Sequence, residues 1–116
     1  MTTHATRRLL TETIIDELQV LPELLRKAET RYYEAERRLS EKRSLLAEAE
    51  AKADAFAAER AAYRRSSAAA PAPNAAALLA ELLEAQEEAD RWKAEVDFLR
   101  RRHDNYRVMA GLLTNA

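Results

Sequence analysis

Residues 78–113, LLAELLEAQEEADRWKAEVDFLRRRHDNYRVMAGLL, place an apolar or small side chain at alternating steps of four and three residues. This spacing averages about 3.5 residues, which is typical of an α-helix that supercoils around a partner helix and buries one seam. The seam positions are Leu78, Leu82, Ala85, Ala89, Trp92, Val96, Leu99, His103, Tyr106, Ala110 and Leu113. The stretch therefore predicts a long helix with one face to bury.

A second seam of the same kind runs through the first half of the chain. Its positions are Ile14, Leu18, Leu21, Leu25, Ala28, Tyr32, Ala35, Leu39, Lys42, Leu46, Ala49, Ala53, Phe56, Arg60 and Tyr63. Between the seams, residues 66–74 (SSAAAPAPN) contain two prolines, which interrupt helices and predict a loop. The pattern predicts an all-α fold, a long antiparallel two-helix coiled-coil hairpin that forms one domain over residues 1–116.

Pro22 predicts a further boundary in the first half. A proline inside a helix removes one hydrogen bond and clashes with the preceding turn, whereas it is tolerated in the first turn. The sequence therefore predicts a short N-terminal helix over residues 7–20, a kink at Pro22 and a long helix over residues 22–65. The second seam predicts a helix over residues 75–113.

The register of the hairpin is predicted from the sizes of facing side chains. If the loop reverses the chain near Ala70, each of the largest internal side chains of the two seams faces an alanine. The pairs are Phe56 with Ala85, Trp92 with Ala49, Tyr106 with Ala35, and Tyr32 with Ala110. Close packing at constant helix separation favours this arrangement, so we expect Trp92 to pack against Ala49.

In this register the residues before Ala28 extend beyond the second helix, and they include the most apolar part of the chain. Exposing such a cluster to water is costly, which predicts a homo-oligomer, an oligomeric helical bundle of two or more hairpins. The alternative is that the N-terminal helix folds back over its own hairpin. The predicted oligomerisation residues are Leu9, Leu10, Ile14, Ile15, Leu18, Leu21, Leu25, Phe98, Met109 and Leu112.

Composition narrows the range of functions. The formal net charge of -1 provides no overall field that attracts nucleic acid or an anionic membrane, and the absence of Cys excludes disulfides and thiolate metal sites. No apolar stretch approaches the roughly 18 residues of a membrane span, and the N-terminal MTTHATRRLL lacks the pattern of a signal peptide. We therefore expect a soluble cytoplasmic protein without a membrane partner.

No pattern in the sequence indicates catalysis. The single Gly excludes a phosphate-binding loop, and neither a nucleophile with a base nor a set of metal-spaced ligands is apparent. His103, at a seam position, is either a pH switch or metal ligand, or simply a partly buried ring with a polar neighbour. Because His4 is the only other histidine, the second interpretation is favoured. We expect no enzyme activity, no metal site and no cofactor.

Arginines near the open end of the predicted hairpin form a candidate nucleic-acid contact. The residues are Arg31, Arg37, Arg38, Arg43, Arg100, Arg101, Arg102, Arg107 and Tyr33. In the predicted register the arginines of the two helices lie side by side, and a basic stripe with an aromatic side chain can follow phosphates and stack a base. Acidic residues interleave with them at helical spacing, so a solvated surface of local ion pairs is the favoured interpretation.

Residues 85–113, AQEEADRWKAEVDFLRRRHDNYRVMAGLL, resemble the ending of small helical-hairpin proteins of tailed bacteriophages. Those chains run through Ala- and Glu-rich heptads into a segment rich in aromatic residues, Leu and Arg, and they are often encoded beside single-strand annealing or recombination genes. The resemblance implies a non-enzymatic accessory role in phage DNA metabolism, and it carries no catalytic residues.

Two functions are therefore predicted. The first is a non-enzymatic, oligomeric coiled-coil protein that scaffolds or regulates a protein partner through its apolar end. The alternative is a nucleic-acid-binding accessory protein that uses the arginine-rich flank.

Overall fold

The computed structural model describes residues 2–62 and 75–114. They form two α-helices, α1 (Thr2–Ala62) and α2 (Ala75–Thr114), and contain no β-strand. Both helices are rich in Ala, Leu, Glu and Arg, which have high helix propensity. The predicted all-α fold with two long helices is confirmed, and the predicted loop at residues 66–74 lies outside the described residues.

The helix boundary predicted before Pro22 is wrong, because α1 continues through this proline. A proline in a helix interior costs on the order of 3 kcal/mol. Apolar contacts on both sides offset this cost: Ile14 and Leu21 are buried, and Leu25 packs against the core. Since each fully buried Leu or Ile contributes about 1.5–3 kcal/mol, this burial is at least as large as the cost of the proline.

Most of the seam positions predicted from the heptads are shielded from solvent in the structure. All of those on α2 are buried or half-buried, as are those on α1 from Ile14 to Ala53. Phe56 is an exception, since it is 54% exposed. Arg60 and Tyr63 lie outside the residues whose side chains are described. Within the described part of the chain, the buried side chains are all apolar, namely Ile14, Leu21, Ala28, Ala35, Leu39, Ala85, Ala89, Val96 and Leu99.

The helices form two compact units. Unit 1 contains Met1–Tyr33 and Arg91–Ala116, and unit 2 contains Glu34–Asp90. Each unit therefore combines a segment of α1 with a segment of α2.

In unit 1 the two helix segments run antiparallel, because residues later in α1 contact residues earlier in α2. The cross-helix contacts are from Arg7 Nη2 to the Leu113 carbonyl oxygen (3.1 Å), from Arg102 Nη2 to Glu17 Oε1 (2.9 Å), and from Arg100 Nη2 to Glu29 Oε1 (3.1 Å). The core contains Leu21, Ala28, Val96 and Leu99, and the side chains packed against it are Leu25, Tyr32, Trp92 and Tyr106. Small and large side chains thus share one continuous seam.

Unit 2 is also an antiparallel pair of helix segments, held by polar contacts beside an alanine-rich seam. Its cross-helix contacts are from Arg38 Nη1 to Glu88 Oε1 (3.2 Å), from Lys42 Nζ to Glu81 Oε2 (3.0 Å), and from Arg43 Nη2 to Gln86 Oε1 (2.9 Å). Lys42 occupies a seam position, where it is half-buried, and its ammonium binds a carboxylate at the edge of the seam.

The predicted register is wrong. Trp92 lines a groove with Ala28 and Arg31, and its ring centroid lies 5.2 Å from the Arg31 guanidinium carbon. Its predicted partner, Ala49, lies about five helical turns further along α1 than Arg31. Because a heptad seam repeats along each helix, sliding one helix by whole seam steps keeps apolar side chains facing each other. Matching large side chains with alanines therefore did not identify the register.

The observed register covers the apolar segment that was predicted to extend beyond the second helix. Leu21 is 0% exposed and shares a core with Val96 and Leu99 of α2. The predicted overhang is therefore wrong, and so is the alternative in which this segment folds back, because α1 is continuous. The physical reason is apolar burial: the predicted register would leave these side chains in water, at a cost of several kcal/mol.

We predict that Leu21→Ala destabilises the protein by about 2–5 kcal/mol, because it leaves a cavity in the core of unit 1. Leu9→Ala is the matched control, since Leu9 is 65% exposed, and it should change the stability by no more than about 0.5 kcal/mol. Urea unfolding followed by circular dichroism measures both values. Equal effects of the two variants would contradict this register.

Candidate interaction surfaces

The structure divides the predicted oligomerisation residues into two groups. Ile14 and Leu21 are buried and Leu18, Leu25 and Met109 are half-buried, so their own chain already covers much of this group. The exposed group is Leu9, Leu10, Ile15, Phe98 and Leu112. Val20, Leu24 and Val108 are also exposed in unit 1, although they were not among the predicted residues. Whether any of these residues mediates oligomerisation stays a prediction.

One flank of unit 1 collects most of the exposed apolar side chains. On α1, Leu10, Glu17, Leu24 and Arg31 are seven residues apart and therefore lie on one side of the seam. Glu17 binds Arg102, which identifies the side of α2 that this flank adjoins. We name the surface the Leu24 flank; its residues are Leu10, Glu17, Val20, Leu24, Lys27 and Arg31 of α1, and Glu95, Phe98, Arg102, Met109 and Leu112 of α2. The seven-residue spacing beside the seam is the signal that identifies such residues from sequence.

A groove of about 400 Å³ opens on the Leu24 flank. Leu24, Ala28, Leu99 and Trp92 line its apolar part, whereas the charged residues around it are Lys27, Arg31 and Glu95. The Arg31 guanidinium covers the Trp92 ring, an arrangement in which the ring quadrupole attracts the cation. The groove therefore combines an apolar surface with charges of both signs.

The opposite flank of unit 1 is more polar. Arg100 binds Glu29 there, and Ile15, two heptads before Glu29, is an exposed apolar side chain on this side of α1. The apolar surface of unit 1 is thus asymmetric, with Leu10, Val20, Leu24, Phe98 and Leu112 on the Leu24 flank.

The structure does not bring the predicted arginines together as the sequence suggested. Arg38 and Arg43 contact Glu88 and Gln86 in unit 2, whereas Arg100 and Arg102 contact carboxylates of α1 in unit 1. The predicted alignment is wrong for the same reason as the register.

Most of the candidate nucleic-acid residues have partners within the chain. Arg38, Arg100 and Arg102 bind carboxylates, Arg101 donates to the Asp97 carbonyl oxygen, and Arg31 covers Trp92. Tyr33 is exposed, and its ring stacks on that of Tyr32, with centroids 5.8 Å apart. Arg37 and Arg107 are exposed and form no ion pair with any described residue. Nucleic-acid contact by these residues stays a prediction.

His103 is half-buried, as its seam position predicts. Across residues 2–62 and 75–114, the His, Asp and Glu side chains form no group of three that is arranged to hold a metal ion. Neither helix, over its described length, has a segment long and apolar enough to cross a membrane.

No protein-family model matches this chain, and no curated protein or solved structure is significantly similar to it.

We predict that Arg31→Met lowers the stability by about 0.5–1 kcal/mol and increases the access of acrylamide to Trp92, because the guanidinium that covers the ring is lost. The chain contains one Trp, so fluorescence quenching reports on this site alone. Arg37→Met is the control, because Arg37 is exposed and lies in unit 2. Unchanged quenching in Arg31→Met would contradict the placement of Trp92 against Arg31.

Proposed function

We propose that this chain is a non-enzymatic, self-associating helical scaffold that binds other helical surfaces through unit 1. The observation that carries the proposal is the exposure of large apolar side chains along the Leu24 flank, where Leu24 is 42% and Phe98 is 52% exposed. Monomeric soluble proteins rarely expose large contiguous apolar patches, and such patches mark interaction sites.

The energetics of the Leu24 flank favour association. Covering apolar surface contributes about 25 cal/mol per Å², so several large side chains together offset the entropy lost when two molecules associate. Two charged residues of the flank, Glu17 and Arg102, already bind each other and are both more than half covered. Burial of this pair therefore does not leave either charge without its partner.

The shape of the flank fits a helical partner. Two antiparallel helices present a shallow groove between them, and the side chains of another helix pack into such a groove. A bundle of four helices is the simplest assembly that covers an apolar flank of a helix pair. This supports the predicted oligomeric bundle, although the surface that mediates it differs from the predicted overhang.

The accessory role in phage DNA metabolism rests on the resemblance of residues 85–113 alone and stays a prediction. Direct binding of nucleic acid is less supported than self-association, because three of the candidate arginines bind carboxylates of the opposite helix. Such pairing reduces the charge that is available to phosphates.

We predict that Phe98→Glu shifts the protein toward the monomer mass in sedimentation equilibrium at tens of micromolar, because it places a charge in the apolar part of the Leu24 flank. Leu83→Glu is the matched control, since Leu83 lies on the same helix, is 57% exposed and belongs to unit 2. It should keep the assembly mass of the unsubstituted protein. If the unsubstituted protein is itself monomeric at these concentrations, self-association is not its function.

We predict that labelled single- and double-stranded DNA bind with dissociation constants weaker than about 100 µM at physiological salt, as fluorescence anisotropy measures. Tighter binding that weakens steeply between two salt concentrations would favour the nucleic-acid alternative over the scaffold.

A further inference from the structure

The Leu24 flank is built of layers that alternate between apolar and charged. Along α1 the order is Leu10, then Glu17, then Val20 with Leu24, then Lys27 with Arg31. The Glu17–Arg102 ion pair and the groove shared by Lys27, Arg31 and Glu95 establish which residues of α2 lie at the same level.

From its C-terminal end backwards, α2 carries apolar and charged residues in an order that matches that of α1. Leu112 and Met109 come first, followed by Arg102, Phe98 and Glu95. Because the helices are antiparallel, the apolar end of one series lies beside the apolar end of the other, and Leu24 lies at about the level of Phe98.

In both charged layers the two helices carry opposite signs. Glu17 on α1 lies beside Arg102 on α2, and Lys27 and Arg31 on α1 lie beside Glu95 on α2. A surface with this property is complementary to itself when α1 of one copy faces α2 of another copy at the same level. Glu17 of each copy then meets Arg102 of the other, Lys27 meets Glu95, and the apolar layers meet apolar layers.

We propose that the Leu24 flank of unit 1 packs against the same flank of a second copy, with α1 of each copy lying along α2 of the other about a two-fold axis parallel to the helices. This inference rests on the proposed self-association and specifies its surface and geometry. Each isologous contact of this kind occurs twice, as two-fold symmetry requires.

A two-fold axis perpendicular to the helices is the competing geometry, and apolar coverage decides against it. An axis through the level of Leu24 and Phe98 places α1 on α1 in reverse order, so Glu17 of one copy meets Arg31 of the other. The charges match here as well, but no residue of unit 1 then lies opposite Leu10 and Leu112. The parallel axis covers Leu24, Phe98, Leu10 and Leu112 together, and buries more apolar surface.

Disulfide trapping distinguishes the two geometries, and the native chain contains no Cys that would interfere. Full-length copies with Leu24→Cys and with Phe98→Cys, carrying tags of different size, are mixed and equilibrated in a glutathione redox buffer. The parallel axis predicts the mixed disulfide between the two variants, because a disulfide requires Cα atoms within about 7 Å. A second mixture, of Leu10→Cys with Leu112→Cys, should also give the mixed product.

The control mixture combines Ile15→Cys with Phe98→Cys. Ile15 is exposed to an extent similar to that of Leu24 but lies on the opposite flank of unit 1, so it should not be trapped.

Charge reversal gives a second measurement. Glu95→Lys and Lys27→Glu should each weaken self-association by about tenfold, because each places like charges across the interface. An equimolar mixture of the two variants should recover the affinity, since the lysine introduced by Glu95→Lys in one copy then faces the glutamate introduced by Lys27→Glu in the other. Each variant keeps its altered contacts within its own chain when the two are mixed. A recovered affinity therefore reports only on contacts between the two copies.

The outcomes separate this inference from the function on which it rests. Mixed disulfides together with recovery on mixing support the parallel axis. A dimer that instead traps Leu24→Cys with itself overturns this geometry while self-association stands. A protein that remains monomeric at tens of micromolar overturns both.

Discussion

The burial of Leu21 and Ala28 of α1 against Val96 and Leu99 of α2 is the contact on which the rest of unit 1 depends. It determines how far one helix slides along the other, and therefore which polar side chains meet beside the seam. Glu17 reaches Arg102, Glu29 reaches Arg100, and Trp92 reaches Arg31 only in this alignment. α1 continues through Pro22, and the apolar burial on both sides of the proline offsets the cost of the missing helix hydrogen bond.

The ion pairs beside the seam contribute more to specificity than to stability. Partly exposed pairs such as Glu17–Arg102 are each worth about 1 kcal/mol or less, whereas a shift of the seam would bring like charges together. These pairs also neutralise Arg38, Arg100 and Arg102, three of the candidate nucleic-acid residues. In unit 1 the Glu17–Arg102 pair separates apolar layers of the Leu24 flank, and this alternation is part of the proposed self-complementarity.

Heptad spacing predicted both helices and their buried faces, because a side chain's position around a helix depends only on its place in the sequence. It did not predict the register, because two repeating seams match at every whole seam step. Trp92 was paired with Ala49 because a large side chain fits opposite a small one. This comparison did not include the cost of the apolar segment that the same register leaves exposed to water. The error carried over to the arginines, whose predicted alignment followed from the register.

The candidate surface was predicted in part. Leu10, Phe98 and Leu112 were among the predicted oligomerisation residues, whereas Val20 and Leu24 were not, although all five are exposed. The sequence by itself determined two long helices, the seam on each and the absence of thiol chemistry, because these follow from local spacing and composition. Only the tertiary structure decided the alignment of the helices, the partner of each arginine and the flank that stays exposed. These depend on the total apolar surface that is removed from water, and this is a property of the packed pair rather than of either helix alone.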